Sequence, residues 1–226
     1  MGFHGARLVR VLARLAVPGA RESRQSLAER LGDWLTVTDA LALADTLGQT
    51  APPGRVHTNG AGEVERAGEV DSHAGDRAAA AAVARVARDR VRLELANAST
   101  SFDTGATDFP SYRRHLQRMQ REMSVRIMPL RQALRAEIAM HEPELGRLAA
   151  LDAVFERALA ERERSLLATV PVLLGRRFDQ LRETSGGWLA VFHDDLRETL
   201  MAELELRLQP IDGLIAALDK DTTRKQ

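Results

Sequence analysis

The chain has no cysteine, and so it has no disulfide framework, no cysteine-based zinc site and no thiol nucleophile. It has few aromatics: six Phe, two Trp and one Tyr in 226 residues. Only four Ile and fifteen Val are present, so β-formers are scarce and a sheet is not expected. No 18-residue window is apolar and free of charge, which excludes a membrane-spanning helix at the level of sequence. There is no excess charge of either sign: 32 Lys and Arg balance 32 Asp and Glu. That argues against a globally basic nucleic-acid binder and against an acidic tail. Phosphate-loop and nucleophile-elbow motifs are also missing, because Gly60-Ala-Gly62 has Glu65 where a third glycine would stand and neither Ser165 nor Ser185 sits in an elbow.

What is abundant is Ala, Leu, Arg and Glu. With two Lys these make 115 of 226 residues, the composition of long helices. The fold class expected is all-α: an elongated antiparallel bundle, coiled-coil-like, with long helices kinked at proline. Residues 1–48 read as an N-terminal helical segment, with Ser23 or Ser26 as a cap and Leu27, Leu31, Trp34 and Leu35 on one face. Thr36, Thr38 and Asp39 re-cap a further helix carrying Leu41, Leu43 and Leu47, and Gly48 stops it. The first 21 residues hold four Arg and no acid, but Arg10 and Arg14 break any signal-peptide core. They read as an ordinary amphipathic helix, and the location expected is cytoplasmic. Residues 49–76, with five Gly and two adjacent Pro, read as a flexible linker. Residues 77–218 read as a long-helix bundle, and 219–226 as a disordered tail.

Within that bundle, residues 77–97 open on an alanine run with a narrow face of Ala79, Val83, Val86 and Val91. Tyr112, Leu116, Met119, Met123, Ile127, Leu130, Leu134, Ile138, His141 and Leu145 then form an eleven-residue repeat. A second stripe is Leu148, Leu151, Phe155, Leu159, Leu166, Val170, Leu173, Phe178 and Leu181. A third, after Ser185-Gly186-Gly187, is Trp188, Phe192, Leu196, Leu200, Leu204, Leu208, Ile211, Ile215 and Leu218. Pro129, Pro171 and Pro210 interrupt these periodic stretches, so kinks or breaks are expected there. A turn is expected at His141–Pro143.

Chemistry-bearing residues do not cluster. No His has an acid three residues before it, as a di-iron bundle requires. His193, Asp194 and Asp195 are consecutive and cannot face one another on a helix. Glu203 and Glu205 read as surface acids beside Arg. No catalytic residue, metal ligand or cofactor is expected, and the protein is read as a non-enzyme.

The charge pattern says more than its sum. Residues 109–136 carry seven Arg against Glu122 alone, whereas residues 137–164 carry seven acids against four Arg. Two readings follow. In one, the basic stretch lies antiparallel to the acidic one and exchanges ion pairs with it. Alternatively Arg113, Arg114, Arg118, Arg121 and Arg126 form a basic face for phosphate or a partner, and 112–135 is a nucleic-acid-binding helix. Tyr112 is the one aromatic beside these arginines, which gives little for base stacking.

Three stretches carry a family resemblance: SRQSLAERLGDWLTVTDALAL, LAALDAVFERALAERERSLLATVPVLL and LMAELELRLQPIDGLIAAL. Within them stand Ala149-Ala-Leu-Asp152, Arg162-Glu-Arg164 and Leu206-Arg-Leu-Gln-Pro210. They resemble a mainly β-proteobacterial helical family known only as a domain of unknown function. The resemblance implies no catalytic residues. It implies a gene neighbourhood with OmpA/MotB-like envelope proteins, and hence a cytoplasmic accessory of an envelope-associated assembly. Taken together, the expected function is a helical scaffold or adaptor that self-associates or docks on a helical protein, with nucleic-acid binding as the alternative.

Overall fold

The computed structural model describes residues 5–15, 36–48, 63–184 and 186–219, and the regular structure among them is entirely α-helical. The described helices are α1 (Gly5–Leu15), α2 (Val37–Gly48), α3 (Glu63–Thr100), α4 (Phe109–Ala139), α5 (Pro143–Leu167), α6 (Val170–Arg182) and α7 (Trp188–Asp219). The expected cap at Ser23 or Ser26, the face of Leu27, Leu31, Trp34 and Leu35, Ser185, and all of the 219–226 tail but Asp219 lie outside the described residues. So does the linker up to residue 62. Residues 63–76, read from sequence as linker, are helical as the start of α3. This stretch has no proline, and elongating a helix from the alanine run behind it costs far less than nucleating one.

The chain divides into two compact units, each assembled from three separate segments. The first holds residues 1–30, 89–129 and 160–209, and the second holds 31–88, 130–159 and 210–226.

In the first unit the core follows the apolar stripes. Tyr112, Leu116, Met119 and Met123 of α4 are buried, as are Phe192, Leu196, Leu200, Leu204 and Leu208 of α7. Leu8, Val11 and Leu15 of α1 are buried as well, the amphipathic face expected of that segment. Two buried pairings place α4 and α7 side by side in the same direction: Tyr112 meets His193, and Gln120 meets Glu203. α6 and α7 form a hairpin through Gly186 and Gly187, whose φ values of 69° and 73° are left-handed and suit glycine. The scarce aromatics gather here. Phe109, Tyr112, Phe178, Trp188 and Phe192 contact one another at ring separations of 5.0–6.4 Å. Gly175 makes room for Phe109, because a Cβ there would stand 2.9 Å from the Phe109 ring.

In the second unit α4 and α5 reverse at His141–Pro143. Arg131 bonds Asp152, while Arg135 bonds Asp152 and Glu156, an antiparallel register about that turn. Ile138 and Leu145 are buried on either side of it. Thr36 and Asp39 cap α2 reciprocally: the Thr36 backbone N–H donates to the Asp39 carboxylate, and the Asp39 N–H donates to the Thr36 hydroxyl. α2 ends at Gly48 as its sequence implies. Its leucines, however, are not a buried face, since Leu41 and Leu47 are exposed.

The prolines act differently from one another. The helix continues through Pro129 and Pro210. Before Pro171 it breaks, with Ala168 and Thr169 in a turn and Pro171 in the first turn of α6. The second stripe is off by one residue at Leu166 and Leu173, while Val170, Phe178 and Leu181 are buried as expected. Leu166, expected in the core, is 53% exposed, whereas Leu167 is 6% exposed and Leu174 is fully buried. We therefore expect Leu167→Ala to lower the free energy of unfolding by about 2–5 kcal/mol. Leu166→Ala should change it by less than about 0.5 kcal/mol in urea titrations.

Candidate functional site

Helix α4 carries the arginines singled out from sequence, and the fold divides them. Arg126 is occupied by Glu94 at 2.6 Å and Glu122 at 3.3 Å. Farther along the helix, Arg131 and Arg135 are consumed by Asp152 and Glu156. The antiparallel exchange between the basic and acidic stretches is thus realised for this second half of α4. The first half is different. Arg113, Arg114, Arg118 and Arg121 are exposed, and among the described residues none has a carboxylate at ion-pair distance.

Three of these four line a cleft of about 460 Å³ in the first unit. Arg114, Arg118 and Arg121 lie at i, i+4 and i+7, one face of the helix. The opposing wall is the α3–α4 connection, with Ser101, Phe102 and Asp103. Arg113 does not line the cleft. The connection is shaped locally by Asp103, whose carboxylate accepts the Gly105 N–H at 2.9 Å.

Two histidines hold this wall in place. The buried His115 donates from Nε2 to the Ser99 carbonyl at 3.2 Å, which leaves Nδ1 to accept from Arg118 at 2.9 Å. Burial, the largest effect, pushes its pKa below the ordinary value, against the opposing Ser99 bond and with a smaller contribution from the Arg118 charge. The Tyr112 hydroxyl donates to the Ala106 carbonyl at 2.6 Å and accepts from His193 Nε2 at 2.8 Å. Burial likewise lowers His193, with Arg197 adding to the effect and Asp194 opposing it. Burial raises Tyr112, helped by Asp103 and Asp108. The Phe102 ring packs against His115, His193 and Tyr112 at 5.0–6.0 Å, with the Arg197 guanidinium 5.5 Å from its centre. In sequence His115 stands among Arg113, Arg114 and Arg118. No sequence signal marks Phe102, which stands in a turn-rich stretch with no periodicity.

The tempting run at 193–195 is three separate contacts. His193 goes to Tyr112, Asp194 to Arg197, and Asp195 to Arg14 and Arg177. Asp195 is buried. Glu203, read from sequence as a surface acid, is fully buried. Arg207, one turn along the same helix, grips its Oε1, and Gln120 of α4 donates to its Oε2, a contact that only the folded bundle supplies. His141 lies 3.6 Å from Glu137, one turn before it. Among the described residues no three His, Asp or Glu gather as a metal site, and no helix is long and apolar enough to cross a membrane.

A family model for a protein of unknown function, DUF3348, matches residues 1–220, and the chain belongs to that family. No curated protein and no solved structure matches it.

Because both imidazoles sit below the ordinary 6.5, the unfolded chain takes up these protons first as the pH falls. Their contribution is full above that value and is lost on acidification through it. The urea midpoint should therefore fall between about pH 7.5 and about pH 5.5, and fall less in His115→Gln than in the parent. Equal pH dependence in the two proteins would contradict the assignment.

Proposed function

We propose that the protein is a non-enzymatic helical adaptor that self-associates or docks on a helical partner. The observation that carries this reading is the outer face of α3 in the second unit. Ala79, Val83 and Val86 stand at i, i+4 and i+7 and are exposed, the two valines 70% each. Ala81 and Ala84 on the opposite face are buried, so the outward valines do not complete this unit's own core. Small side chains along that face let a second helix approach closely. The buried charged groups fit the same reading. Asp195 and Glu203 are held by arginines in structural pairs, where a catalytic carboxylate would be left able to reach a substrate. The family resemblance supports a cytoplasmic place beside an OmpA/MotB-like envelope protein.

Nucleic-acid binding through residues 112–135 is the second reading, favoured by the four exposed arginines of early α4. It is weakened by Arg126, Arg131 and Arg135, whose charges are neutralised within the fold. With about four phosphate contacts, log K against log salt should slope near −3.6. Replacing Arg114, Arg118 and Arg121 by Glu should abolish binding, and no binding at low salt ends this reading.

The adaptor reading is tested by sedimentation of the full chain and by affinity purification of the tagged protein from its host. Association, with itself or with a helical protein, should be lost in the Val83→Asp, Val86→Asp double variant. The unfolding free energy of that variant should stay within about 0.5 kcal/mol of the parent. A strict monomer that brings down no protein would overturn the proposal.

A further inference from the structure

The arginine cleft of the first unit is separate in kind from the α3 face and asks for a ligand of its own. Exposed arginines are ordinary, but these are gathered on one helix face, and one of them is fixed in place. Arg118 is held by a neutral imidazole acceptor, His115 Nδ1, and His115 is in turn held by the Ser99 carbonyl. Arg114 donates to the Ser111 hydroxyl at 3.1 Å. Each guanidinium has five N–H donors, so most remain available for an acceptor that enters the cleft. Three guanidiniums against the Asp103 carboxylate leave two positive charges on the lining. Neutralising them with one group calls for a dianion, which a phosphate monoester becomes above pH of about 6. Arg also matches phosphate oxygens in a bidentate fork.

The extent of the site selects among phosphates. A polymer needs a continuing track of positive charge. Here the next arginine along α4 within this unit, Arg126, is neutralised by Glu94 and Glu122. A volume of about 460 Å³ is that of a small-molecule cleft. Phe102 and Ala106 supply apolar wall beside the charges.

We propose that this cleft binds a small phosphate monoester, with Arg114, Arg118 and Arg121 on the phosphate and Phe102 against its organic carrier. The inference goes beyond the adaptor reading and does not depend on it.

Calorimetric titration of the full-length protein tests it with four probes: adenosine monophosphate, inorganic phosphate, adenosine, and an oligonucleotide without a terminal phosphate. The nucleotide should bind with Kd below about 1 mM, and adenosine should not bind. Arg118→Gln and Arg121→Gln should each weaken the nucleotide at least about tenfold. Both side chains are exposed, so the folded state survives their loss. The Val83→Asp, Val86→Asp double variant should bind the nucleotide as the parent does, which separates failure here from failure of the adaptor reading. Nucleotide binding no stronger than adenosine, or unaltered by the arginine variants, would overturn the site. Inorganic phosphate binding as tightly as the nucleotide would overturn the role of Phe102. An oligonucleotide binding more tightly than the nucleotide would overturn the proposal in favour of a polymer.

Discussion

Asp195 and Glu203 lie on the buried face of α7, two turns apart, among Phe192, Leu196 and Leu200. A carboxylate in such a place is tolerated only with a cation and hydrogen-bond donors at hand, because removing it from water costs several kcal/mol. The chain answers with arginine. Arg14 and Arg177 converge on Asp195 from α1 and α6. Arg207 and Gln120 hold Glu203, and Arg207 reaches on to Glu163 and Ser124. These contacts bring four helices to defined places against α7 within the first unit. A purely leucine-lined face would specify that register less sharply.

The same accounting explains the rest of the arginines. The second unit spends Arg131 and Arg135 on Asp152 and Glu156, fixing the α4–α5 reversal. It also joins Arg77 to Glu142, and α3 to α7 through Arg85–Asp219 and Arg88–Asp212. Once these carboxylates are satisfied, early α4 is left with arginines that no carboxylate among the described residues neutralises. The proposed ligand surface is thus the remainder of a structural allocation, and its position beside the 101–108 connection gives it walls.

Much of the architecture could be read from periodicity. The stripe from Trp188 to Leu218 is the core of α7 almost residue for residue, and the stripe beginning at Tyr112 is the core of α4. The glycine pair at 186–187 and the Thr36–Asp39 cap declare themselves through local backbone chemistry. The stripe through α5 and α6 was misread at Leu166, because Leu166 and Leu167 are adjacent apolar residues and spacing alone does not choose which of them faces the core. Glu203 was misread because its i+4 partner Arg207 suits a surface pair equally well, and its burial against Gln120 of α4 arises only in the folded unit. The arginine cleft was half legible. Residue spacing puts Arg114, Arg118 and Arg121 on one face, but which arginines stay uncommitted depends on carboxylates far away in the chain.

Helix α4 thus carries two classes of arginine: Arg131 and Arg135 pair with carboxylates, whereas Arg114, Arg118 and Arg121 are the ones proposed to meet a ligand. Urea unfolding of single Arg→Gln variants at positions 114, 118, 121, 131 and 135 tests this division most directly. Losses of about 1–3 kcal/mol are expected at 131 and 135. Changes within about 0.5 kcal/mol are expected at 114 and 121, and at most about 1 kcal/mol at 118, whose guanidinium donates to His115. A uniform loss across all five positions, or greater loss in the first three, would contradict the division.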